Sequence, residues 1–213
     1  MWDFLVDQRI QLLYQGYQHI SLVLQAVALA TVISLAVAIA VTRVPALDPV
    51  ANAISAIGLT LPSFALIGLF LPAFGLGVRT AFAVVTFYAI LPILRNAVVG
   101  LEQVDKNLME SAQGMGMTPV TRLFRVQLPL AWPVVMAGIR VSTQMSMGVA
   151  AIAAYVKGPG YGTFIFSGLA RIGGEGAVES ALVGTLGVVV LALIVDAFLK
   201  LFARLTTSKG IRV

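Results

Sequence analysis

Long apolar runs broken by short polar or proline-containing joints dominate the pattern along the chain. Covering about 30 Å of hydrocarbon takes roughly 20 mostly apolar residues in a helix. Five runs qualify: 21–41, ended by Arg43 and Pro45; 51–74, containing Pro62 and closed by an FGLG turn; 80–99, interrupted at Pro92; 133–156; and 181–202. Ahead of the first run, residues 1–20 form a more polar segment. Within it FLVDQRIQLLYQGYQ (4–18) reads as an amphipathic helix lying at the membrane interface. Asp3 and Asp7 stand where a secretory signal would be basic, so no such signal is expected here.

The most polar interruption is MESAQGMGMTPVTRLFRVQLP, 109–129, inside a loop spanning 105–129. Asp105 suits the N-cap of a short helix from Lys106 to about Met115, with Leu108, Met109, Ala112 and Met115 as its apolar stripe and Glu110 to the side. Gly114 and Gly116 supply a flexible exit. Thr118 then caps a second helix with Pro119 at its first position, where proline costs least. Val120, Leu123 and Phe124 make an i, i+3, i+4 face on it, Arg122 and Arg125 lie off that face, and Pro129 is expected to end it. Two readings of the pair stand on physics alone. Its apolar face rests on the bilayer or neighbouring spans, or it is a knob for a groove on a soluble partner. Tethering to membrane helices at both ends argues against DNA.

Composition agrees with the pattern. Of 213 residues, 59% are hydrophobic and 11% charged, with a mean hydropathy of +0.97. A soluble domain carries about 25% charged residues, so the chain reads as one integral membrane domain. The absence of cysteine excludes disulfides and thiolate sites, and the single histidine, His19, cannot build a His-based metal cluster. No metal or cofactor is expected.

Charge then sets an orientation. Five spans put the termini on opposite sides. With the N-terminus outside, the inner segments hold Arg43, Arg95, Lys106, Arg122, Arg125, Lys200, Arg204, Lys209 and Arg212, and the outer ones Arg9, Arg79, Lys157 and Arg171. This bias places the N-terminus outside and the C-terminus and the 105–129 loop in the cytoplasm.

Polar groups within spans mark pathways or packing. Ser142, Gln144 and Ser146 lie in the fourth span, with Ser63 and Tyr88 beside the prolines, and these five are the pathway candidates. Arg140 is expected to snorkel, Asp196 and Lys200 to pair locally, and KGPGYG (157–162) to make an external turn before a short helix.

The loop resembles a known motif. Glu110-Ser111-Ala112, then Gly116 after three residues, Val126 after nine more and Leu128-Pro129 after one more follow the E-A-A…G…I-x-L-P pattern of ABC importer permeases, with serine for alanine and valine for isoleucine. LTLPSFALIGLFLPAFGLG, YAILPILRNAVVGLEQVD and AAYVKGPGYGTFIFSGL are similar to the osmoprotectant branch, over roughly residues 20–205. That resemblance implies an all-α integral membrane protein with five transmembrane helices of the type I ABC importer permease (MetI-like) fold, and a cytoplasmic coupling helix between spans three and four. It implies pairing with a second permease subunit, two ATP-binding cassette ATPase subunits and an extracytoplasmic substrate-binding protein in a prokaryotic cytoplasmic membrane. The solute would be glycine betaine, choline, carnitine or proline betaine, with methionine or another small solute as the alternative. Glu110, Ser111, Ala112 and Gly116 would belong to the coupling loop, and Val120, Leu123 and Phe124 to its hydrophobic plug. The aromatic cage for the solute would lie in the binding protein, so no substrate box is assigned to Phe64, Tyr88 or Tyr155.

Two further readings follow from the residues. No lysine follows a glycine, so the phosphate-cradling G-x-x-x-x-G-K-[ST] loop is missing and ATP hydrolysis is expected in a separate chain. A self-contained secondary carrier would be expected to show internal repeats and more ionisable groups deep in its spans.

Overall fold

The computed structural model describes residues 1–207 and Gly210; Lys209 and Arg212, counted above among the inner charges, lie outside the described residues. Ten α-helices are described: α1 Trp2–Asp7, α2 Arg9–Arg43, α3 Asp48–Thr60, α4 Ser63–Phe74, α5 Val78–Glu102, α6 Lys106–Gly114, α7 Pro119–Arg122, α8 Leu128–Ala153, α9 Gly162–Ala170 and α10 Ala177–Thr206. Four stretches are long and apolar enough to cross a membrane: α2, α5, the run from α7 through α8, and α10. The pair α3 and α4 makes a fifth if counted as one broken span.

α2 departs from expectation. The segment 4–18 forms no helix of its own; α1 takes its start, and from Arg9 the backbone runs unbroken to Arg43. No proline interrupts that stretch, so the helix simply propagates. At 35 residues it is about 52 Å long, well beyond the hydrocarbon thickness. The polar first turns are thus continuous with the helix that carries the first apolar run.

The 51–74 run is not one straight helix either. Pro62 lacks the N–H that would continue the ladder and holds extended backbone, and α3 and α4 meet there at 101°. Tyr88, buried on α5, donates its hydroxyl to the Leu61 carbonyl freed at this corner. The break is therefore built into the packing.

α5 lies at the centre, with α2 and α8 packed along it. Its Pro92 removes one backbone donor, and serines from both neighbours reach into the preceding turn. Ser34 Oγ donates to the Ile90 carbonyl at 3.1 Å and Ser142 Oγ to the Ala89 carbonyl at 2.8 Å. Hydroxyl groups on adjacent helices are what make a proline affordable at membrane depth.

KGPGYG makes the expected turn before the short helix α9. The Gly160 N–H donates to Gln15 Oε1 at 2.8 Å, and His19, fully buried, brings Nε2 to 3.2 Å from the Met147 carbonyl. Gly162 sits so close to α8 that a Cβ there would lie 2.0 Å from the Ala151 carbonyl oxygen. Gly162→Ala is therefore expected to cost roughly 3 kcal/mol, the upper part of the overpacking range. Gly148→Ala, with open space around it, should be neutral, and thermal unfolding of the two purified variants makes the comparison.

Candidate functional site

The helical pair between α5 and α8 forms as its caps dictate. Asp105 accepts from the Asn107 N–H at 2.8 Å and opens α6; the Thr118 hydroxyl accepts from the Thr121 N–H at 3.3 Å and opens α7. Arg122 Nη1 donates to Gln113 Oε1 at 2.7 Å, so the two helices are joined. Between them Gly116 has φ +81°, in the left-handed region that glycine adopts without strain.

Pro129 does not end the second helix. From Leu123 to Gln127 the backbone opens into a π turn, in which the Leu128 N–H reaches back five residues to the Leu123 carbonyl, and α8 continues from it. A wider turn relieves the clash that a proline ring makes with the carbonyl four residues earlier. Gln127 Nε2 then donates to the Leu101 carbonyl at 3.1 Å and ties the turn to the end of α5.

The apolar positions of the pair divide. Ala112 and Leu123 are buried, and Leu123 belongs to the main core. Val120 and Phe124 are 65% and 59% exposed, and Met115 is also exposed. Helical geometry explains the split: at about 100° per residue, positions 123 and 124 lie on opposite sides of 120, so one edge of the stripe meets the core while the other faces away. Leu123 is thus a core residue and not part of an outward plug. Glu110, Ser111 and Gly116 are exposed as well.

The pathway candidates do not converge. Ser142 and Ser146, four apart, are both fully buried. Tyr88 is used at the Pro62 corner, and Ser63 is half-buried at the start of α4. Gln144 alone is exposed, and it shares an open stripe of α8 with Val141, Met145 and Gly148. The outward face of α10 exposes Leu182, Leu186, Val190 and Leu193 together with a polar residue, Thr185.

Arg140 does not snorkel. Its Nε donates to Asp196 Oδ1 at 2.9 Å, with Nη2 at the same distance, and Lys200 Nζ holds Oδ2 at 2.8 Å. One carboxylate on α10 is thus shared by two cations, one of them on α8. The expected local pair is present, but the inter-helix partner carried no signal in a single sequence. Below it, Trp132 Nε1 donates to Thr206 Oγ1 at 2.9 Å and joins the start of α8 to the end of α10.

The family described as binding-protein-dependent transport system inner membrane component matches residues 16–208. The chain is 38% identical over 210 residues, 99% of its own length and 95% of the relative's, to the choline transport system permease protein OpuBB of Bacillus subtilis (strain 168). It is 41% identical over 138 residues, 65% of its length and 62% of the relative's, to the glycine betaine/carnitine/choline transport system permease protein OpuCB of the same organism. Among solved structures, a chain of the inward-facing MetNI methionine ABC transporter superposes with a TM-score of 0.79 at 21% identity, covering 92% of this chain and 96% of that one. The family match over most of the chain, joined to a multi-pass helical fold with a capped helical pair between two spans, establishes that this protein belongs to the binding-protein-dependent transport system inner membrane components, the permeases of ABC importers.

Proposed function

We propose that the chain is the permease subunit of an importer for osmoprotectants of the quaternary ammonium class, glycine betaine, choline, carnitine or proline betaine. The observation that carries this reading is the similarity to a choline permease along 99% of the chain. Likeness to the methionine transporter, at 21% identity, is a likeness of fold.

In this reading an extracytoplasmic binding protein delivers the solute, and two ATPase subunits, separate chains, supply the energy. The exposed side of the helical pair, Glu110, Ser111, Gly116, Val120 and Phe124, docks on an ATPase. Apolar Val120 and Phe124 enter a groove, and Ala112 and Leu123 fix the pair to the spans. The N-terminus lies outside and the C-terminus inside, as the charge bias indicates. The open stripe of α8 with Gln144 faces a second permease chain, and the solute passes between the two.

Uptake of radiolabelled glycine betaine and choline into cells without importers of their own tests this. Uptake is expected only when the chain is expressed with its ATPase and binding protein, and it should vanish on ATP depletion. Uptake by the chain alone would show a carrier, and methionine uptake in place of the betaines would overturn the substrate class.

A further inference from the structure

We propose that, contrary to the expectation that neither residue holds a substrate box, Phe64 and Tyr155 form an aromatic corner that receives the cationic head of the solute at the end of α8 farthest from the helical pair; this rests on the substrate class proposed above. Tyr155 lies in the turn Ala154–Val156 that follows α8, and Phe64 one residue into α4. Packing would ordinarily hide such rings, yet Tyr155 is 65% and Phe64 51% exposed. Their centroids are 5.5 Å apart with the planes at 82°, and Phe166 stands behind Tyr155 at 5.7 Å.

A quaternary ammonium group has no N–H to donate, and its charge is spread over methyl groups. It is held by ring faces within about 6 Å of their centroids. Two rings at nearly a right angle make a corner in which one such group touches both. Tyrosine and tryptophan also mark membrane interfaces; Tyr155 lies in the turn after α8, with Ala151 buried and Ile152 half-buried between it and exposed Gly148. Hand-over from the binding protein needs only a shallow site, and two exposed rings provide one.

The test uses the permease reconstituted in vesicles with its ATPase and binding protein, comparing Phe64→Leu, Tyr155→Leu, Tyr155→Phe and Tyr155→Trp. Capture from dilute solution belongs to the binding protein, so KM for choline should stay unchanged. Maximal uptake should fall roughly five- to tenfold in each leucine variant, as loss of one cation–π contact implies. Phenylalanine and tryptophan at position 155 should keep the wild-type rate. Wild-type rates per molecule in both leucine variants would overturn the proposal, leaving the rings as interface anchors. So would an equal loss in Tyr155→Phe and Tyr155→Trp, which also decides the matter if the leucine variants fail to assemble. A wild-type complex that imports another solute but no quaternary ammonium compound would instead overturn the substrate class itself.

Discussion

Reversing the charge at Glu110, or placing valine at Gly116, is expected to abolish uptake while the permease still reaches the membrane and its ATPase still hydrolyses ATP. Both residues are exposed, so neither change disturbs the core. Gly116 holds φ +81° with open space around it. A β-branched residue would be strained there by about 1–2 kcal/mol, enough to shift the angle between α6 and α7. Phe124→Asp, on the outward edge, removes an apolar anchor, and loss of such an anchor commonly costs 2 kcal/mol or more, roughly a 30-fold loss of docking. Leu123→Ala differs in kind: this side chain is in the core, so the variant should lose about 2–5 kcal/mol of stability and protein yield. Uptake and ATP hydrolysis measured together in vesicles separate the two effects. Normal uptake per ATP in the Glu110, Gly116 and Phe124 variants would sink the docking assignment.

The contrast between Leu123 and Phe124 shows where sequence reasoning reaches its limit. Apolar runs marked where long helices form, because hydrocarbon thickness is a length that composition measures directly. The 80–99 run lies inside Val78–Glu102 and the 181–202 run inside Ala177–Thr206. The helices continue past both edges because helix propagation does not stop where hydrophobicity does. Caps were legible as well, Asp105 and Thr118 being local chemistry. Local rules failed at Pro129, where a π turn absorbs the proline. They failed again along Ser142–Gln144–Ser146, which looked like one polar run. At about 100° per residue, Gln144 points well away from the two serines, so the run is two faces. Which face was buried depended on α5, and no local pattern states where a neighbour packs. The pairing of Arg140 with Asp196, 56 positions apart, had no local trace.

That pairing makes the second strong prediction. Asp196→Ala is expected to destabilise the protein by about 3 kcal/mol, the lower end for a broken buried pair, because Arg140 keeps partial access to solvent. The arithmetic of charge makes the cluster asymmetric. Asp196 serves two cations, so its removal orphans both and leaves Arg140 and Lys200 repelling each other. Removing either cation alone leaves an ion pair behind. Arg140→Leu should therefore cost less than Asp196→Ala, and Lys200→Ala, at an exposed position, less still. In the double variant Arg140→Leu/Asp196→Leu, only Lys200 remains, near the end of α10 where its stem can carry the charge to the interface. Much of the loss should return, since well-packed apolar side chains often replace buried ion pairs without penalty. Intrinsic tryptophan fluorescence during thermal unfolding can report all four variants, since Trp132 joins α8 to α10, the two helices the cluster links. A double variant as unstable as Asp196→Ala would mean that the pair contributes geometry between the helices and not merely charge balance.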